Sequence, residues 1–320
     1  MRRTLITGGA GFIGSHLVDC LIAKGNDHVT VLDNFSDFYD PAIKRTNVSA
    51  HLKKNSRFEL VEGDICDDVL MKEMFARSRF DCVVHLAARA GVSPSLEHPL
   101  AYEKTNVRGT YSVLEAARAS NTRRFIFASS SSVYGLNSTI PFVETDPLIH
   151  PISPYAATKI AGESACRVYS HLCEMRVICL RFFTAYGARQ RPDLAIHKFA
   201  RLMTEGKPIP VYGDGTTKRD YTYIDDIVAG TVAAMESEGE RFDVFNLGES
   251  RAVKLNYLIS LLEQALGVKA VIDWRPPQPG DVPITFADIG KAGRLLGYDP
   301  QTPIETGIEK FAAWFKSRSA

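Results

Sequence analysis

The strongest constraint on the fold is a regular alternation of short apolar runs with helical patterns over the first 180 residues. The apolar runs are mostly continuous, which is typical of strands in a parallel sheet covered on both faces. The predicted strands are Thr4–Thr7, His28–Asp33, Phe58–Glu62, Cys82–Leu86, Phe125–Ala128 and Arg176–Arg181. The predicted helices between them are Phe12–Lys24, Asp68–Ser78, Ala101–Ser120 and Pro154–His171. This order favours an α/β fold with a doubly wound parallel sheet joined by right-handed crossovers.

The alternation stops after about Phe182, where loops rich in Gly, Pro and Arg are separated by short helical patterns. A chain of 320 residues also exceeds the usual size of a single core. We predict a first domain over residues 1–181, with returns to it near 221–228 and 242–247. Residues 182–320 form a smaller, interleaved second domain in this prediction.

Composition excludes several classes of partner. The net charge of +1 gives no electrostatic case for nucleic acid or for an anionic membrane surface. We expect no signal peptide, because an apolar run and a glycine follow within the first eight residues, and no membrane span, because no apolar run approaches roughly 18 residues. The six cysteines show no metal-ligand spacing. The expectation is a cytoplasmic protein with reduced cysteines and no metal.

A glycine-rich turn connects the first predicted strand to the first predicted helix. Gly8, Gly11 and Gly14 permit a tight turn, close approach to a pyrophosphate, and close packing of helix on sheet. The helix N-terminus at Phe12 and Ile13 then presents free N–H groups and positive dipole charge to phosphates. Three glycines can also be only a turn, but their position between strand and helix favours a dinucleotide site.

Asp33 ends the second predicted strand, 19 residues after Gly14. A carboxylate at this position accepts from both hydroxyls of an adenosine ribose and repels a 2′-phosphate, which favours NAD over NADP. The alternative for Asp33 is a solvated turn residue.

Tyr155 and Lys159 form the strongest chemical signal. Ser153 is a good N-cap and Pro154 suits a first helical position, so Tyr155 and Lys159 fall at i and i+4 on one helix face. A neighbouring ammonium and a positive nicotinamide ring should lower the pKa of the phenol from about 10 towards neutrality, which makes Tyr155 a general base and then acid. Such a pair can also lie on a surface helix. The glycine turn and the serine run Ser129–Ser132, which precedes the pair, favour catalysis.

These motifs resemble the extended short-chain dehydrogenases/reductases, the NAD-dependent epimerase/dehydratase family, in which the Gly-x-x-Gly-x-x-Gly spacing is found. The resemblance covers nearly the whole chain and implies a Rossmann domain, bound NAD and a nucleotide-sugar substrate. It implies Ser130 as the catalytic hydroxyl that binds the reacting oxygen. Further cofactor contacts implied by the resemblance, besides Tyr155 and Lys159, are Asn34, Asp64, Ile65, Leu86, Ala87, Ala88 and Asn106.

The two residues after Ser130 help to select the reaction. Related 4,6-dehydratases carry Asp-Glu there and related decarboxylases carry Glu at the second position, whereas this chain has Ser131 and Ser132. Serines cannot supply the carboxyl proton relay of those reactions, which favours epimerisation. Ser131 and Ser132 are therefore predicted among the catalytic residues of an epimerase. The resemblance then implies hydride transfer from C4 to bound NAD, a 4-keto intermediate, and hydride return to the opposite face.

The second half of the chain resembles UDP-sugar enzymes, and segments 37–44, 181–187, 189–193 and 278–283 are similar to UDP-glucuronate 4-epimerases. Three departures stand out: Thr184 replaces Asn and Gln278 replaces Arg of many family members, and Ser93 replaces an Arg usual in those epimerases. Arg219 is expected to bind the diphosphate and Asp281 the uridine ribose. The substrate contacts implied are Thr184, Arg189, Arg191, Tyr212, Arg219, Gln278 and Asp281.

The expected activity is interconversion of UDP-glucuronate and UDP-galacturonate. Oxidation at C4 places a ketone β to the C5 carboxylate, and such an acid loses CO₂ when the breaking bond aligns with the carbonyl π system. An Arg fork can hold the carboxylate out of alignment, and Arg191 is the candidate, with Thr184 as a neighbouring donor. Arg191 can alternatively bind phosphate or solvent.

Two other activities stay open: a 4-epimerase of neutral UDP-sugars such as UDP-glucose, UDP-N-acetylglucosamine or a UDP-pentose, and a non-catalytic NAD-binding sensor. The resemblance also suggests a homodimer that packs through the helices predicted at Ala101–Ser120 and Pro154–His171.

Overall fold

The computed structural model describes residues 1–52, 55–136, 139–277, 280 and 282–319. The strands are β1 (Arg2–Thr7), β2 (Asp27–Asp33), β3 (Phe58–Glu62), β4 (Cys82–His85), β5 (Arg124–Ser130), β6 (Arg176–Phe182), β7 (Thr184–Tyr186), β8 (Ile209–Tyr212), β9 (Lys218–Tyr223), β10 (Phe242–Leu247), β11 (Ala252–Lys254) and β12 (Ile272–Arg275). The α-helices are α1 (Phe12–Lys24), α2 (Pro41–Leu52), α3 (Asp68–Arg77), α4 (Val92–Glu97), α5 (Pro99–Tyr102), α6 (Gly109–Ala119), α7 (Pro154–Leu172), α8 (Ala195–Thr204), α9 (Ile224–Glu236), α10 (Leu255–Leu266), α11 (Gly290–Leu296) and α12 (Ile304–Ser319).

The main sheet has the strand order β10-β6-β5-β4-β1-β2-β3. Its neighbouring strands pair in parallel, and Thr7 of β1 lies in register with Leu32 of β2 and His85 of β4. The doubly wound parallel sheet is therefore confirmed. The strand order reverses between β1 and β4, and in such sheets a crevice for ligands opens at the carboxyl ends beside this reversal.

Both faces of the main sheet are covered. Alternate residues of each strand point to opposite faces, so Leu5 and Ile6 of β1 belong to two different buried clusters. One cluster includes residues of α1 and α9, and the other includes residues of α3, α6 and α7. This double burial explains why the strand sequences are continuously apolar. No helix in the described part of the chain is long and apolar enough to cross a membrane.

The predicted helix Ala101–Ser120 is wrong in one respect, because it is not continuous. A π-helical turn, Glu103–Arg108, separates α5 from α6. Within this turn the carbonyl of Asn106 accepts from the Thr110 hydroxyl at 2.6 Å, and the Asn106 amide binds groups outside the helix. In this wider turn both the backbone carbonyl and the side-chain amide of Asn106 have hydrogen-bond partners. Helical periodicity in the sequence does not reveal this. Helices α2 and α4 were also missing from the prediction.

The second half of the chain contributes two small sheets, with strand orders β11-β9-β7 and β12-β8. Strand β10 lies instead at the edge of the main sheet, where it pairs with β6. Helix α9, which follows Tyr223, packs against α1. The domain limits at residues 181 and 182 stay a prediction.

Candidate active site

A cavity of about 620 Å³ opens at the carboxyl ends of β1, β2, β4 and β5. It collects most of the residues predicted for the cofactor, the chemistry and the sugar. The predicted residues that line it are Gly8, Gly11, Phe12, Ile13, Gly14, Asp33, Asn34, Asp64, Ile65, Leu86, Ala87, Ala88, Ser130, Ser131, Ser132, Tyr155, Lys159, Thr184 and Arg191. The sequence motifs therefore converge on one site.

The glycine turn leaves no space for side chains where it packs, and leaves open space where a ligand would lie. Gly8 has a φ of +69°, and a Cβ there would be 2.8 Å from the backbone nitrogen of Ala87. A Cβ on Gly14 would be 2.4 Å from the Gly8 carbonyl oxygen, whereas one on Gly11 would meet only that oxygen, at 3.2 Å. No side chain caps the N-terminus of α1 at Gly11. This cradle fits the pyrophosphate of a dinucleotide.

Asp33 is a buried carboxylate that supports the glycine turn. Its Oδ2 accepts from the backbone N–H of Ala10 at 3.2 Å, and its Oδ1 accepts from that of Phe35 at 2.9 Å. The Lys44 ammonium lies 3.7 Å from Oδ1. Burial lowers the pKa of Lys44, and the charge of Asp33 opposes that fall. The placement of Asp33 on the cavity wall fits an acceptor for the ribose hydroxyls.

The adenosine end of the cavity is held by contacts between loops. Asn34 donates from Nδ2 to Asp64 at 3.0 Å, and Asp64 also accepts from the backbone N–H of Cys66 at 2.8 Å. Ile65 packs closely on α6, since a Cβ on Gly109 would come within 2.5 Å of its Cδ1. These contacts fix the loop after β3 beside the end of β2.

A buried histidine joins the strands on either side of the reversal. His85 Nδ1 lies 2.7 Å from the Thr7 hydroxyl, and its Nε2 lies 3.0 Å from the hydroxyl of Thr110. Burial, together with the charge of Lys159, lowers the pKa of His85 to about 3, so the ring is neutral. The Thr7 hydroxyl also accepts from the Ala87 N–H at 3.2 Å, which keeps the loop after β4 close to the glycine turn.

Asn106 lies behind the cavity wall and connects two parts of it. Its Oδ1 accepts from the Arg89 N–H at 2.8 Å, and its Nδ2 donates to the Arg89 carbonyl at 2.9 Å and to the Thr158 hydroxyl at 3.0 Å. Thr158 directly precedes Lys159, so the loop after β4 is tied to the helix of the predicted catalytic pair.

Helix α7 places Tyr155 and Lys159 on the cavity. Ser153 caps it by accepting from the backbone N–H of Ala156 at 3.1 Å. The Lys159 ammonium donates to the Ala128 carbonyl at 2.7 Å and lies 5.9 Å from the centre of the Tyr155 ring. The predicted pair therefore forms, with its ammonium anchored to the end of β5.

Ser130 completes the arrangement from the neighbouring strand. It caps the 3₁₀ turn Ser131–Tyr134, where its hydroxyl oxygen accepts from the Ser132 N–H at 3.1 Å. The Ser130 hydroxyl is also close enough to the Tyr155 phenol to favour its ionised form. A substrate oxygen placed at this point meets one hydroxyl donor and one phenol.

The predicted fall in the pKa of Tyr155 included a positive nicotinamide ring and stays a prediction. In the protein by itself, burial raises the pKa of Tyr155, although the nearby Ser130 hydroxyl and the charge of Arg191 act in the opposite direction. The phenol packs edge-on against the Tyr102 ring, with 6.2 Å between the ring centres. Burial likewise lowers the pKa of Lys159 to about 8. A lowered phenol pKa thus depends on the positive nicotinamide ring that the prediction included.

Thr184 and Arg191 also line the cavity. Arg191 donates from Nε and Nη2 to the two carboxylate oxygens of Asp193, at 3.0 and 2.6 Å. Its guanidinium carbon lies 5.2 Å from the centre of the Phe38 ring. Arg191 is therefore a cavity cation that already has a carboxylate partner within the chain, which the sequence did not reveal.

Three other predicted substrate residues that the structure describes, Arg189, Tyr212 and Arg219, are not among the residues that line this cavity. Arg189 pairs with Asp19 of α1, with 2.7 Å between Nη1 and Oδ2, and this contact directs it away from the lining. Tyr212 on β8 and Arg219 on β9 are also outside the residues that line it. Gln278 and Asp281 lie outside the described residues.

Sequence reasoning missed a buried ion pair beneath the catalytic residues. Glu163 accepts from Arg181 at 2.9 and 2.8 Å and from the Ser129 hydroxyl at 2.5 Å. Glu163 follows Lys159 by four residues, so its place on the same face of α7 was the available signal. The pair holds the ends of β5 and β6 against α7 and so fixes Ser130.

Comparison with known proteins finds relatives among nucleotide-sugar epimerases and dehydratases. The family model described as GDP-mannose 4,6 dehydratase matches residues 5–311. UDP-glucuronate 4-epimerase 3 of Arabidopsis thaliana is 43% identical over 328 residues, which cover 97% of this chain and 76% of that protein. UDP-glucuronate 4-epimerase of Thermodesulfobacterium geofontis is 39% identical over 317 residues, which cover 99% of this chain and 97% of that protein.

Solved structures of similar fold are also UDP-sugar 4-epimerases. UDP-glucuronic acid 4-epimerase from Bacillus cereus, in complex with UDP-glucuronic acid and NAD, superposes with a TM-score of 0.93 at 38% identity and 99% coverage of both chains. UDP-glucose 4-epimerase from Thermotoga maritima, with UDP-glucose, gives a TM-score of 0.91 at 34% identity, covering 99% of this chain and 100% of that chain. The chain therefore belongs to the extended short-chain dehydrogenase/reductase family, within its epimerase and dehydratase branch.

Proposed function

We propose that the protein is a UDP-glucuronate 4-epimerase, which interconverts UDP-glucuronate and UDP-galacturonate with NAD as its cofactor. The observation that carries the proposal is the presence of Arg191 in the same cavity as Tyr155 and Ser130. A cation beside the reacting centre suits a sugar with a carboxylate at C5. The relatives named for this activity, which align over nearly the whole chain, support the same substrate.

Bound NAD would supply the acceptor for the hydride of C4 and then the donor for its return to the opposite face of the sugar. The glycine turn and Asp33 would hold its pyrophosphate and ribose. Ser130 hydrogen-bonds the C4 oxygen, and Tyr155 accepts the proton of that hydroxyl as the 4-keto sugar forms. On return, Tyr155 gives the proton back to the same oxygen. Ser131 and Ser132 line the site without an acidic group, so elimination and decarboxylation have no proton relay there.

Arg191 adds control over the keto intermediate. The 4-keto sugar is a β-keto acid, and its loss of CO₂ requires the C5–carboxylate bond to align with the ketone. A guanidinium that holds the carboxylate through directed N–H bonds fixes its rotation. Thr184, at the start of β7, lines the same cavity and can donate a further hydrogen bond.

The test is incubation of the purified protein with a panel of UDP-sugars, without added NAD, followed by separation of the products. We expect UDP-galacturonate from UDP-glucuronate, with NAD carried by the protein. Activity on UDP-glucose rivalling that on UDP-glucuronate would favour an epimerase of neutral sugars, for which the likeness to the Thermotoga maritima enzyme is the supporting observation. Binding of NAD and sugar without any product would favour the sensor.

Replacement of Asp33 by alanine should weaken NAD binding and narrow the preference for NAD over NADP. The ribose loses its acceptor, and the charge that repels a 2′-phosphate is removed. The measurement is the affinity of the variant for each cofactor by fluorescence titration. An unchanged ratio of the two affinities would mean that the adenosine ribose binds elsewhere.

Replacement of Lys159 by methionine should lower the rate and move the rising limb of the pH–activity profile to higher pH. Activity needs the phenolate of Tyr155, and loss of a nearby cation raises the pKa at which it forms. The profile of kcat/KM against pH measures this. An unchanged profile would mean that Lys159 does not set the pKa of Tyr155. Arg191, whose charge lowers the pKa of Tyr155 in the structure, would then be the cation that does.

We further propose a homodimer that packs through α6 and α7. Tyr111, Val168 and Leu172 on these helices are exposed apolar side chains, and Tyr111 lies against Tyr169 across the two helices. Sedimentation at micromolar concentration should show a dimer, and a monomer alone would contradict it. A cytoplasmic location is also proposed, supported by the free thiols of all six cysteines.

A further inference from the structure

We propose that Asp193 sets how strongly Arg191 binds the sugar carboxylate. Asp193 occupies one edge of the Arg191 guanidinium and leaves the other edge to bind the sugar carboxylate reversibly. Asp193 is in this view a residue that determines specificity and positions Arg191, without touching the reacting atoms. The inference rests on the proposed epimerisation of UDP-glucuronate and assigns a role to a residue that the mechanism above leaves unused.

The geometry of the pair leaves room for a second carboxylate. Asp193 takes the Nε and Nη2 edge of Arg191, at 3.0 and 2.6 Å. A guanidinium has five N–H donors, so three remain, on Nη1 and on the outer side of Nη2. One N–H of Nη1 and one of Nη2 form another fork that fits a carboxylate. Arg191 lines the cavity with its side chain 16% exposed, and its guanidinium carbon lies 5.2 Å from the centre of the Phe38 ring.

The charges around Arg191 make Asp193 its main compensating group. The other groups that act on it are the phenols of Tyr39 and Tyr155, and the Lys44 ammonium also feels its charge. With Asp193 in place the pair is formally neutral. A sugar carboxylate therefore meets an oriented set of donors whose net attraction is reduced by repulsion from Asp193.

This partial compensation suits a reaction in which the sugar must turn over within the site. Between the two hydride transfers the carboxylate has to leave the guanidinium and return to it. Without Asp193, each departure would leave an uncompensated, largely buried cation, which is costly. With Asp193, Arg191 keeps one partner throughout, so the barrier to turning the ring is lower.

Replacement of Asp193 by asparagine removes the charge and keeps the shape. We expect KM for UDP-glucuronate to fall by about fivefold or more and kcat to fall by about tenfold, because the carboxylate binds more tightly and leaves more slowly. The 4-keto stage should last longer, visible as increased steady-state absorbance of reduced nicotinamide on the enzyme. Affinity for UDP-glucose, measured by calorimetry, should change by less than about twofold, since that sugar has no carboxylate.

The control is Glu305→Gln, which removes the carboxylate of another bidentate pair, with Arg251 at 3.2 and 3.0 Å, outside the cavity. It should leave all four quantities unchanged. Asp193→Ser, which also removes the charge, replaces the Asn variant if that variant does not fold. A rise in KM that Asp193→Glu rescues would overturn the proposal and make Asp193 only a support for Arg191. Unchanged kcat, or equal effects on both sugars, would overturn it as well.

Failure of the proposed function is recognised separately. Wild-type protein is assayed first, and absence of UDP-galacturonate there refutes the epimerisation itself, with the role of Asp193. If the wild-type protein is active, the results for the Asp193 variants test only the role proposed for Asp193.

Discussion

Replacement of Tyr155 by phenylalanine is expected to lower turnover by at least roughly 10³-fold while NAD and UDP-sugar bind as in the wild type. In the proposed mechanism the phenol is the group that accepts the proton of the C4 hydroxyl, and phenylalanine cannot do so. Removal of one oxygen leaves the packing of the ring against Tyr102 intact. Single-turnover kinetics with UDP-glucuronate, alongside titrations of cofactor and sugar, measure the two effects.

Tyr102 provides the matched control for Tyr155. It is a buried neighbour of Tyr155, and its hydroxyl donates to the Ala90 carbonyl at 3.0 Å, away from the chemistry. Tyr102→Phe should therefore cost far less activity than Tyr155→Phe. Retention of more than a tenth of wild-type turnover by Tyr155→Phe would remove Tyr155 from its role as base.

Replacement of Arg191 by alanine is expected to weaken UDP-glucuronate far more than UDP-glucose. Loss of a charge-assisted bidentate pair costs about 2–5 kcal/mol when the pair is desolvated, whereas a neutral hydroxymethyl group has no such partner to lose. The residual turnover of UDP-glucuronate should leak towards a decarboxylated UDP-4-keto-pentose, since the carboxylate can rotate into alignment with the ketone. Product analysis by mass on both substrates measures this.

Arg189→Ala is the control for Arg191→Ala. Arg189 lies two residues earlier on the same loop but pairs with Asp19, so its loss should leave sugar selectivity unchanged. Equal losses on both sugars for Arg191→Ala would reassign Arg191 to the diphosphate and favour an epimerase of neutral sugars. A selective loss without CO₂ release would keep Arg191 as the carboxylate anchor but refute the alignment argument.

The parts of the site that the sequence predicts are those set by local geometry. Gly8 and Gly14 are required by backbone contacts closer than a Cβ allows, and Tyr155 and Lys159 share a face because of helical periodicity. The burial that raises the pKa of Tyr155 in the protein by itself comes from distant segments, and these are not visible in one motif.

Tertiary pairing limited the remaining predictions in the same way. The partnership of Arg191 with Asp193 and the separation of Arg189 from the cavity depend on which way a loop turns. The break in the helix at Asn106 depends on the Arg89 loop, which lies 17 residues away in sequence. Periodicity and motif spacing contain none of this information.

Asp33 has a consequence for any attempt to redesign coenzyme choice. The same carboxylate that would repel a 2′-phosphate also receives the backbone N–H groups of Ala10 and Phe35 and so holds the loop that binds the pyrophosphate. A substitution that admits NADP by deleting this charge therefore also loosens the phosphate end of the cleft. Coenzyme selectivity and coenzyme retention are coupled through one side chain, so a successful switch needs a neutral residue that still accepts both N–H bonds.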